Sequence, residues 1–514
     1  MKSTCLLFLL FLSLTSFGQL FIRYNHLGYT PLREKRVIIM SNKNCTGLAW
    51  SVYDQNKHAV LSGKIGNSIA DKGPHTSLAY NYEIALTALT SLGEYHLSID
   101  QQEPVKILIK QDPYSFLIQD ILRYMRVQRS GSKDCLDHKP SHFGDSSCAV
   151  MQKATEDNES WKLNSTHPKV NMLGGWYDAG DYLKFTLTTA YTTYQLLHAY
   201  ALNPGLFKQK QYSKTTYNDL LDEAKWGLDY LCRVMPNDET FIIQVGGAED
   251  HRQGNRLPDE DALDGKRNAY TAFSPTQMGY SAAALALGAQ VFDSINEPIL
   301  HQRYKKEALK IYHKALLYTH PTWVKDGWES FYGDEKAFDN MELAACELYR
   351  LTGDKTFLSQ AKDFAFQAKE AHWYSWADAN LLAHNLLYPY DKTTSTYIQD
   401  DLMYFETITN NEGNIWRLPH EYTWASLYSF VGVANNALLY DRVRQKKDYQ
   451  QMANHVLDYT FGMNNWGIAM ICSKDIPHSV QHIYSQVYTL QPHLYATGGV
   501  AEGPGDRKTH EELK

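Results

Sequence analysis

The sequence predicts a two-part molecule, a small β-sandwich followed by a large, mostly α-helical domain. Short segments with strand-like patterning occupy the chain up to Gln111, and helical periodicity dominates after Pro113. With 514 residues, 44% of them hydrophobic, the chain can bury a large core. The helical domain holds around ten to twelve predicted helices in consecutive hairpins.

The pattern of residues 1–18 is typical of a secretory signal peptide. Lys2 precedes the apolar run 6–12, which is too short to span a bilayer, and the segment closes on Ser16-Phe17-Gly18. We therefore expect a secreted or periplasmic mature chain without a membrane span. The formal net charge of -7 disfavours nucleic acid and anionic membrane surfaces as partners.

Residues 19–111 predict the β-sandwich. Turn residues such as Gly63 and Gly93 separate its apolar or alternating segments. No catalytic constellation occurs among them, so we expect this domain to pack against the next one, with carbohydrate binding of its own as the alternative. The predicted strands are 21–24, 36–40, 49–53, 82–86, 95–99 and 105–109.

Residues 112–514 predict the helical domain. Gly353 and Asp354 are typical of a hairpin between two helices, with the glycine ending one helix and the aspartate capping the next. The predicted helices are 116–127, 187–202, 217–234, 277–292, 304–318, 340–351, 357–371, 378–387, 424–440 and 449–461.

The stretch 174–185 carries the strongest chemical signal of the chain. Its glycines allow a backbone to approach a ligand closely, which is loop chemistry at the start of a helix. Asp178 and Asp181 are three residues apart, so both carboxylates can point into one small volume and together hold and deprotonate a water. Alternatively, Asp181 caps the following helix. The flanking Gly-Gly-Trp-Tyr and Lys-Phe favour the catalytic interpretation, because a cap needs neither.

The run Gly-Gly-Trp-Tyr-Asp-Ala-Gly-Asp-Tyr-Leu-Lys-Phe at 174–185 resembles the signature of glycoside hydrolase family 9, the cellulase and endoglucanase family. Residues 22–29 resemble the start of the immunoglobulin-like module that precedes the catalytic domain in one branch of that family. Further segments that resemble the family, in the same order, are 128–131, 244–251, 339–350, 424–426 and 458–464.

This resemblance implies an (α/α)6 toroid and an inverting hydrolase of β-1,4-glucosidic bonds in cellulose or a related β-glucan, with no cofactor needed for the chemistry. It implies Asp181 as the general base and Asp178 as the group that helps to orient the water. Taken one at a time, the aromatic residues could instead belong to the core and the histidines could be buried. The implied substrate-binding residues are Trp176, Tyr177, His251, Trp424 and His482.

Two segments depart from the family. Where the family has Pro-His-His-Arg, this chain has 476–485, which offers His482 and, second to it, His478, but no arginine. The family's general acid is a Glu in an Asn-Glu pair at the start of the final helix, and the sequence stops before any such pair. We therefore expect a domain that lacks its last helix.

Near the end of the sequence, the acidic candidates for the missing proton donor are Glu502, Glu511 and Glu512, and none has the Asn-Glu context. Removing a general acid costs about 10²- to 10⁴-fold in rate. Two alternatives to a β-1,4-glucan hydrolase remain open. One is a catalytically impaired glucan-binding protein, and the other is a hydrolase of a different β-linked polysaccharide.

A polar segment before the signature contains Cys135, His138, His142 and Cys148. Two thiolates and two imidazoles can bind a structural zinc ion, although the spacing matches no zinc pattern. A disulfide between the cysteines and a simple polar loop are the other two interpretations, and the sequence leaves all three open.

Overall fold

The structure is a computed structural model that describes residues 20–69, 76, 78–155, 160–326 and 329–505. The predicted signal peptide lies outside the described residues. So does the end of the chain from residue 506, with Glu511 and Glu512.

The N-terminal strands form two antiparallel sheets, one of three strands in the order β1-β2-β5 and one of four in the order β4-β3-β6-β7. Six of them coincide with the predicted segments. The additional strand, β4, is an edge strand with mostly exposed residues, so it carries little apolar signal. The strands are β1 Leu20–Arg23, β2 Arg36–Ser41, β3 Ala49–Tyr53, β4 Ala59–Lys64, β5 Tyr80–Ala85, β6 Gly93–Ile99 and β7 Val105–Ile109.

The rest of the described chain is dominated by helices. Their bounds are α1 Leu117–Val127, α2 Thr186–Leu202, α3 Asp219–Leu231, α4 Ala248–Arg252, α5 Pro275–Ser294, α6 Pro298–Ala315, α7 Phe338–Thr352, α8 Lys355–Ala368, α9 Asn380–Leu387, α10 Ser395–Thr409, α11 Ser426–Arg444, α12 Gln450–Thr460 and α13 Gln486–Leu490.

The long helices build a toroid. Helices α2, α5, α7, α9 and α11 pack against one another in that order and form the inner ring. Each is followed by an outer partner, α3, α6, α8, α10 or α12, in a hairpin. In the α7–α8 hairpin Gly353 has φ +75°, and the Asp354 side chain accepts a hydrogen bond from the Thr356 amide at 2.9 Å. The predicted fold class, a helical toroid preceded by a β-sandwich, is confirmed.

A small sheet inside the helical domain was not predicted from the sequence. Its order is β10-β11-β12-β8-β9, and its strands are short and come from distant segments. A separate two-stranded hairpin, β13–β14, follows α6 in the chain. The strands are β8 Val150–Lys153, β9 Trp161–Leu163, β10 Lys184–Phe185, β11 Ile242–Val245, β12 Ala269–Thr271, β13 Lys325–Asp326 and β14 Glu329–Ser330.

Strand β10 decides between the two interpretations of Asp181. Because Lys184 and Phe185 pair with β11, helix α2 begins only at Thr186. Phe185 occupies the N-cap position, and no side chain caps the helix. The capping interpretation of Asp181 is therefore wrong, since this residue lies one short strand upstream of the helix.

The sandwich is joined to the helical domain by buried polar and apolar contacts. Asp458 of α12 accepts a hydrogen bond from Asn25 Nδ2 at 2.9 Å and forms an ion pair with Arg33. Strand β2 is buried on both faces. Val37 and Ile39 point into the sandwich, whereas Ile38 and Met40 pack against the helical domain. The sandwich therefore braces the toroid through a shared core.

None of the helices in the described ranges combines the length and the apolar character needed to cross a membrane.

Candidate active site

The two carboxylates predicted to act on water lie on a loop, residues 174–185, here called the carboxylate loop. Gly174 and Gly175 have φ +96° and +70°, and a Cβ on Gly175 would lie 3.2 Å from the Tyr230 ring. The chain that follows α1 pairs with this loop, since Tyr177 N donates to Gln128 O at 2.8 Å. Glycine is required here because the backbone is left-handed and closely packed.

Asp178 is held by two hydroxyl groups. Thr188 Oγ1 donates to Asp178 Oδ1 at 3.0 Å, and the Tyr332 hydroxyl donates to Asp178 Oδ2. Burial raises the pKa of Asp178 to about 7, although the hydrogen bond from Tyr332 opposes that rise. The negative charge of Asp181 raises this pKa further. Asp178 is thus fixed in orientation and titrates near neutral pH.

Asp181 lines the same cavity and is paired with His251, whose side chain is half exposed. Its Oδ1 accepts a hydrogen bond from Leu183 N at 3.1 Å, and its Oδ2 lies 2.7 Å from His251 Nδ1. Burial raises the pKa of Asp181, and the hydrogen bond to His251 acts in the opposite direction. Because His251 fixes one oxygen and the backbone the other, this carboxylate has one defined orientation.

All seven sequence-predicted site residues line one cavity of about 780 Å³. The cavity also contains Tyr484 and Thr188, which were not assigned from the sequence. A third carboxyl group in it is Glu502, one of the three acidic candidates for the proton donor. Burial raises the pKa of Glu502. His478 does not line this cavity, because its ring lies 5.5 Å from that of His26 in the sandwich domain. The predicted seven are Trp176, Tyr177, Asp178, Asp181, His251, Trp424 and His482.

The aromatic and imidazole residues of the cavity differ in exposure. Trp424 is 54% exposed, and both His251 and His482 are exposed, so these three are neither core residues nor buried histidines. Trp176 and Tyr177 are buried and present only part of their rings to the cavity. Trp424, His251 and His482 therefore offer open ring faces to a sugar.

The lysine of the carboxylate loop supports the loop from beneath. Lys184 Nζ lies 2.7 Å from Asp145 Oδ2 and donates to Gly174 O at 3.1 Å, fully buried beneath the loop. Burial alone would raise the pKa of Asp145, but Arg267 and Lys184 hold it well below its usual range. Asp145 thus pairs with both cations beneath the loop, and the lysine in turn fixes the loop backbone through Gly174 O.

The cysteine and histidine segment does not fit a metal or a disulfide. Cys135 and Cys148 are free thiols. Both ring nitrogens of His138 contact backbone carbonyls, and those of His142 contact Tyr177 and Asp261. Across the described part of the chain, no three histidine, cysteine or acidic side chains are grouped so that they could hold a metal ion. The segment is a polar loop whose groups find protein partners.

Tyr332 is the main contact that sequence reasoning missed. It lies 154 residues from Asp178, just beyond β14, and no local motif marks it. Thr188 was within reach of sequence analysis, since it lies in the first turn of α2, directly after the carboxylate loop.

Two family models match the chain. The model of glycosyl hydrolase family 9 matches residues 114–512, and the model of the cellulase N-terminal Ig-like domain matches residues 19–104. These two matches follow one another along the chain, as the helical domain follows the sandwich.

Three similar proteins illustrate the match. A cellodextrinase of Butyrivibrio fibrisolvens is 23% identical, over 87% of this chain and 83% of its own length. Endoglucanase C of Cellulomonas fimi is 24% identical over 95% of this chain, which spans about half of that relative (47%). The crystal structure of a metagenome-derived family 9 endoglucanase has a TM-score of 0.78 and 21% identity, covering 95% of this chain and 91% of that one.

Proposed function

The chain belongs to glycosyl hydrolase family 9, and from this premise we propose that it is an exported, inverting glycosidase that cleaves β-1,4-glucosidic bonds in cellulose or a related β-glucan. Asp181 is the general base in this proposal. It removes a proton from a water, whose oxygen attacks the anomeric carbon on the face opposite the leaving oxygen, and Asp178 orients that water. The predicted signal peptide supports export to the periplasm or the medium.

One observation carries the proposal. Asp178 and Asp181 lie side by side in a large cavity, and each is fixed by its own donors, Tyr332 and Thr188 for one and His251 for the other. A protein that only binds a neutral sugar chain can use carboxylates as hydrogen-bond acceptors, but it does not need two of them side by side with their charge raised in free energy by burial. Fixed orientation is what a base needs, because the attacking water must be held in line with the bond that breaks.

Inversion also needs a proton donor across the sugar, about 6.5–9.5 Å from the base carboxylate. Within the described ranges, Glu502 is the carboxyl group of the cavity that remains after Asp178 and Asp181. Its backbone is held in place, since Leu427 N donates to Glu502 O at 2.9 Å. Burial raises its pKa, which is the direction a general acid requires. We therefore propose Glu502 as the donor to test.

The experiment measures reducing-end release from carboxymethylcellulose, mixed-linkage glucan and xyloglucan by the purified mature chain. Asp181→Asn should lower the rate by about 10²- to 10⁴-fold. Asp363→Asn, an exposed aspartate on α8, is the matched control and should leave the rate unchanged. The product should be released as the α-anomer. Full activity of Asp181→Asn, or release of the β-anomer, would overturn the proposed mechanism.

A second arm isolates the proton donor. Glu502→Gln should lose about 10²- to 10⁴-fold on cello-oligosaccharides, whose leaving alcohol needs a proton. It should keep nearly full activity on 2,4-dinitrophenyl cellobioside, whose leaving group needs none. Equal behaviour of the variant and the wild type on both substrates would show that another group supplies the proton. Binding of cello-oligosaccharides without any turnover would favour the glucan-binding alternative.

A further inference from the structure

We propose that Tyr484 is a stacking platform for the pyranose ring next to the bond that is cleaved, and that it thereby helps to set specificity for flat, β-linked gluco-configured chains. This inference rests on the proposed function, because it assigns a substrate contact within the same cavity.

The position of Tyr484 relative to the carboxylate loop is the first observation. Its ring packs directly on Gly180, the residue just before Asp181. A Cβ built on Gly180 would lie 2.1 Å from Tyr484 Cδ1 and 3.0 Å from Tyr484 O, so no larger residue fits there. Tyr484 and both carboxylates line the same cavity. A sugar that lies on this ring is therefore next to the reacting groups.

The exposure of Tyr484 is the second observation. Its side chain is 69% exposed, even more than that of Trp424 in the same cavity. In the described part of the chain no other aromatic ring stacks on it, and its hydroxyl has no hydrogen-bond partner. Packing on Gly180 uses one edge of the ring. A face of the ring thus remains open to the cavity without a role in the core.

The rigidity of the segment is the third observation. Two residues further along, Gln486 N donates to Gly180 O at 3.1 Å, and Gln486 Oε1 accepts a hydrogen bond from Arg256 N at 3.1 Å. Gln486 itself is buried. The segment that carries the Tyr484 ring is consequently fixed relative to the carboxylate loop. Because the ring is already in place, less conformational entropy is lost when a sugar binds on it.

The chemistry of the ring selects the ligand. The pyranose rings of a β-1,4-glucan carry their hydroxyl groups equatorially, so each face is a flat set of C–H groups. Such a face packs on an aromatic ring, which offers a large apolar area with few side-chain torsions to freeze.

The test compares four variants in two assays. Binding of cellotetraose is measured by calorimetry in the Asp181→Asn background, where turnover is suppressed, and kcat/KM is measured in the native background. Tyr484→Ala and Tyr484→Leu should weaken binding and lower kcat/KM by roughly three- to tenfold, whereas Tyr484→Phe should stay within about twofold. Phe366→Ala removes an equally exposed ring from α8, outside the cavity, and should change neither quantity.

The leucine variant separates stacking from packing. Leucine can still cover Gly180, so a purely structural role predicts that Tyr484→Leu behaves like the wild type. That result, or unchanged binding in Tyr484→Ala, would overturn the inference. A loss in Tyr484→Phe as large as in Tyr484→Ala would assign the effect to the hydroxyl and would overturn stacking.

If the wild type binds cellotetraose but cleaves no glucan, the proposed function fails while the binding data still test Tyr484. If it binds none, both fail.

Discussion

At the scale of single residues, the site depends on neighbours that set the charge of two adjacent carboxylates. Asp178 and Asp181 are both pushed towards the protonated form by burial, and each receives a hydrogen bond that favours the ionised form. A base that is partly desolvated is more basic, and its fixed donors favour its ionised form. The balance between these two effects sets the pH range in which the water can be deprotonated.

Tyr332→Phe tests this balance. A hydrogen bond donated to a carboxylate stabilises its charged form and lowers its pKa, so losing the bond should raise the pKa of Asp178 above its value of about 7. If Asp178 must be ionised to orient the water, the acidic limb of kcat/KM against pH should move upwards by roughly half to one pH unit. Tyr318→Phe, whose ring stacks on Phe273 outside the cavity, is the control. An unmoved or lowered acidic limb would contradict the assignment.

At the scale of secondary-structure elements, turns encoded by adjacent residues were predictable. The sequence predicts a helix end at Gly353 and a helix cap at Asp354, and in the structure the glycine is left-handed and the aspartate caps α8. Such signals are local, because the residues that make the turn are neighbours in sequence.

Gly353→Ala should destabilise the helical domain by about 1 kcal/mol, because alanine strains a left-handed backbone. The control is Gly205→Ala, where the glycine is not left-handed, and this change should stay within about 0.5 kcal/mol. At both positions a new Cβ would meet nothing within 4 Å, so only backbone conformation distinguishes them. Thermal unfolding of the two variants measures the difference. Equal melting temperatures would show that the turn tolerates alanine.

Elements made by distant segments were not predictable in the same way. Strand β10 holds only two residues, and its partner β11 begins only at Ile242, so nothing in Lys184 and Phe185 reveals the pairing. Helix α10 was missed because its apolar residues Ile398, Leu402 and Phe405 are diluted by threonine, tyrosine and aspartate, which are weaker helix formers. The carboxylates of the site were found from one continuous motif, whereas Tyr332 and Tyr484 reach it through the fold.

At the scale of the whole molecule, two domains share a core and a buried ion pair. The side chains of Asp458 and Arg33 are nearly inaccessible, at 1% and 6% exposure. Burial raises the pKa of Asp458 to about 6 even though Arg33 lowers it. A buried pair of this kind fixes the sandwich in one position against the helical domain. Losing one partner leaves the charge of the other partner buried and uncompensated.

Asp458→Ala should therefore destabilise the protein by about 3–5 kcal/mol and loosen the sandwich from the toroid. Glu94→Ala, which removes the surface partner of Lys106 within the sandwich, should cost no more than about 1 kcal/mol. Calorimetric unfolding compares the two, and limited proteolysis between the domains reports loosening. An Asp458→Ala protein as stable and as protease-resistant as Glu94→Ala would show that the domains hold together without this pair.

The same interface imposes an order in time on folding. Arg33 and Asp458 are 425 residues apart, so a chain that grows at about 5–20 residues per second makes Arg33 roughly 20–85 s before it makes Asp458. During that interval β2 has no cover for Ile38 and Met40. The first domain to form therefore exposes an apolar stripe to water until the helical domain covers it.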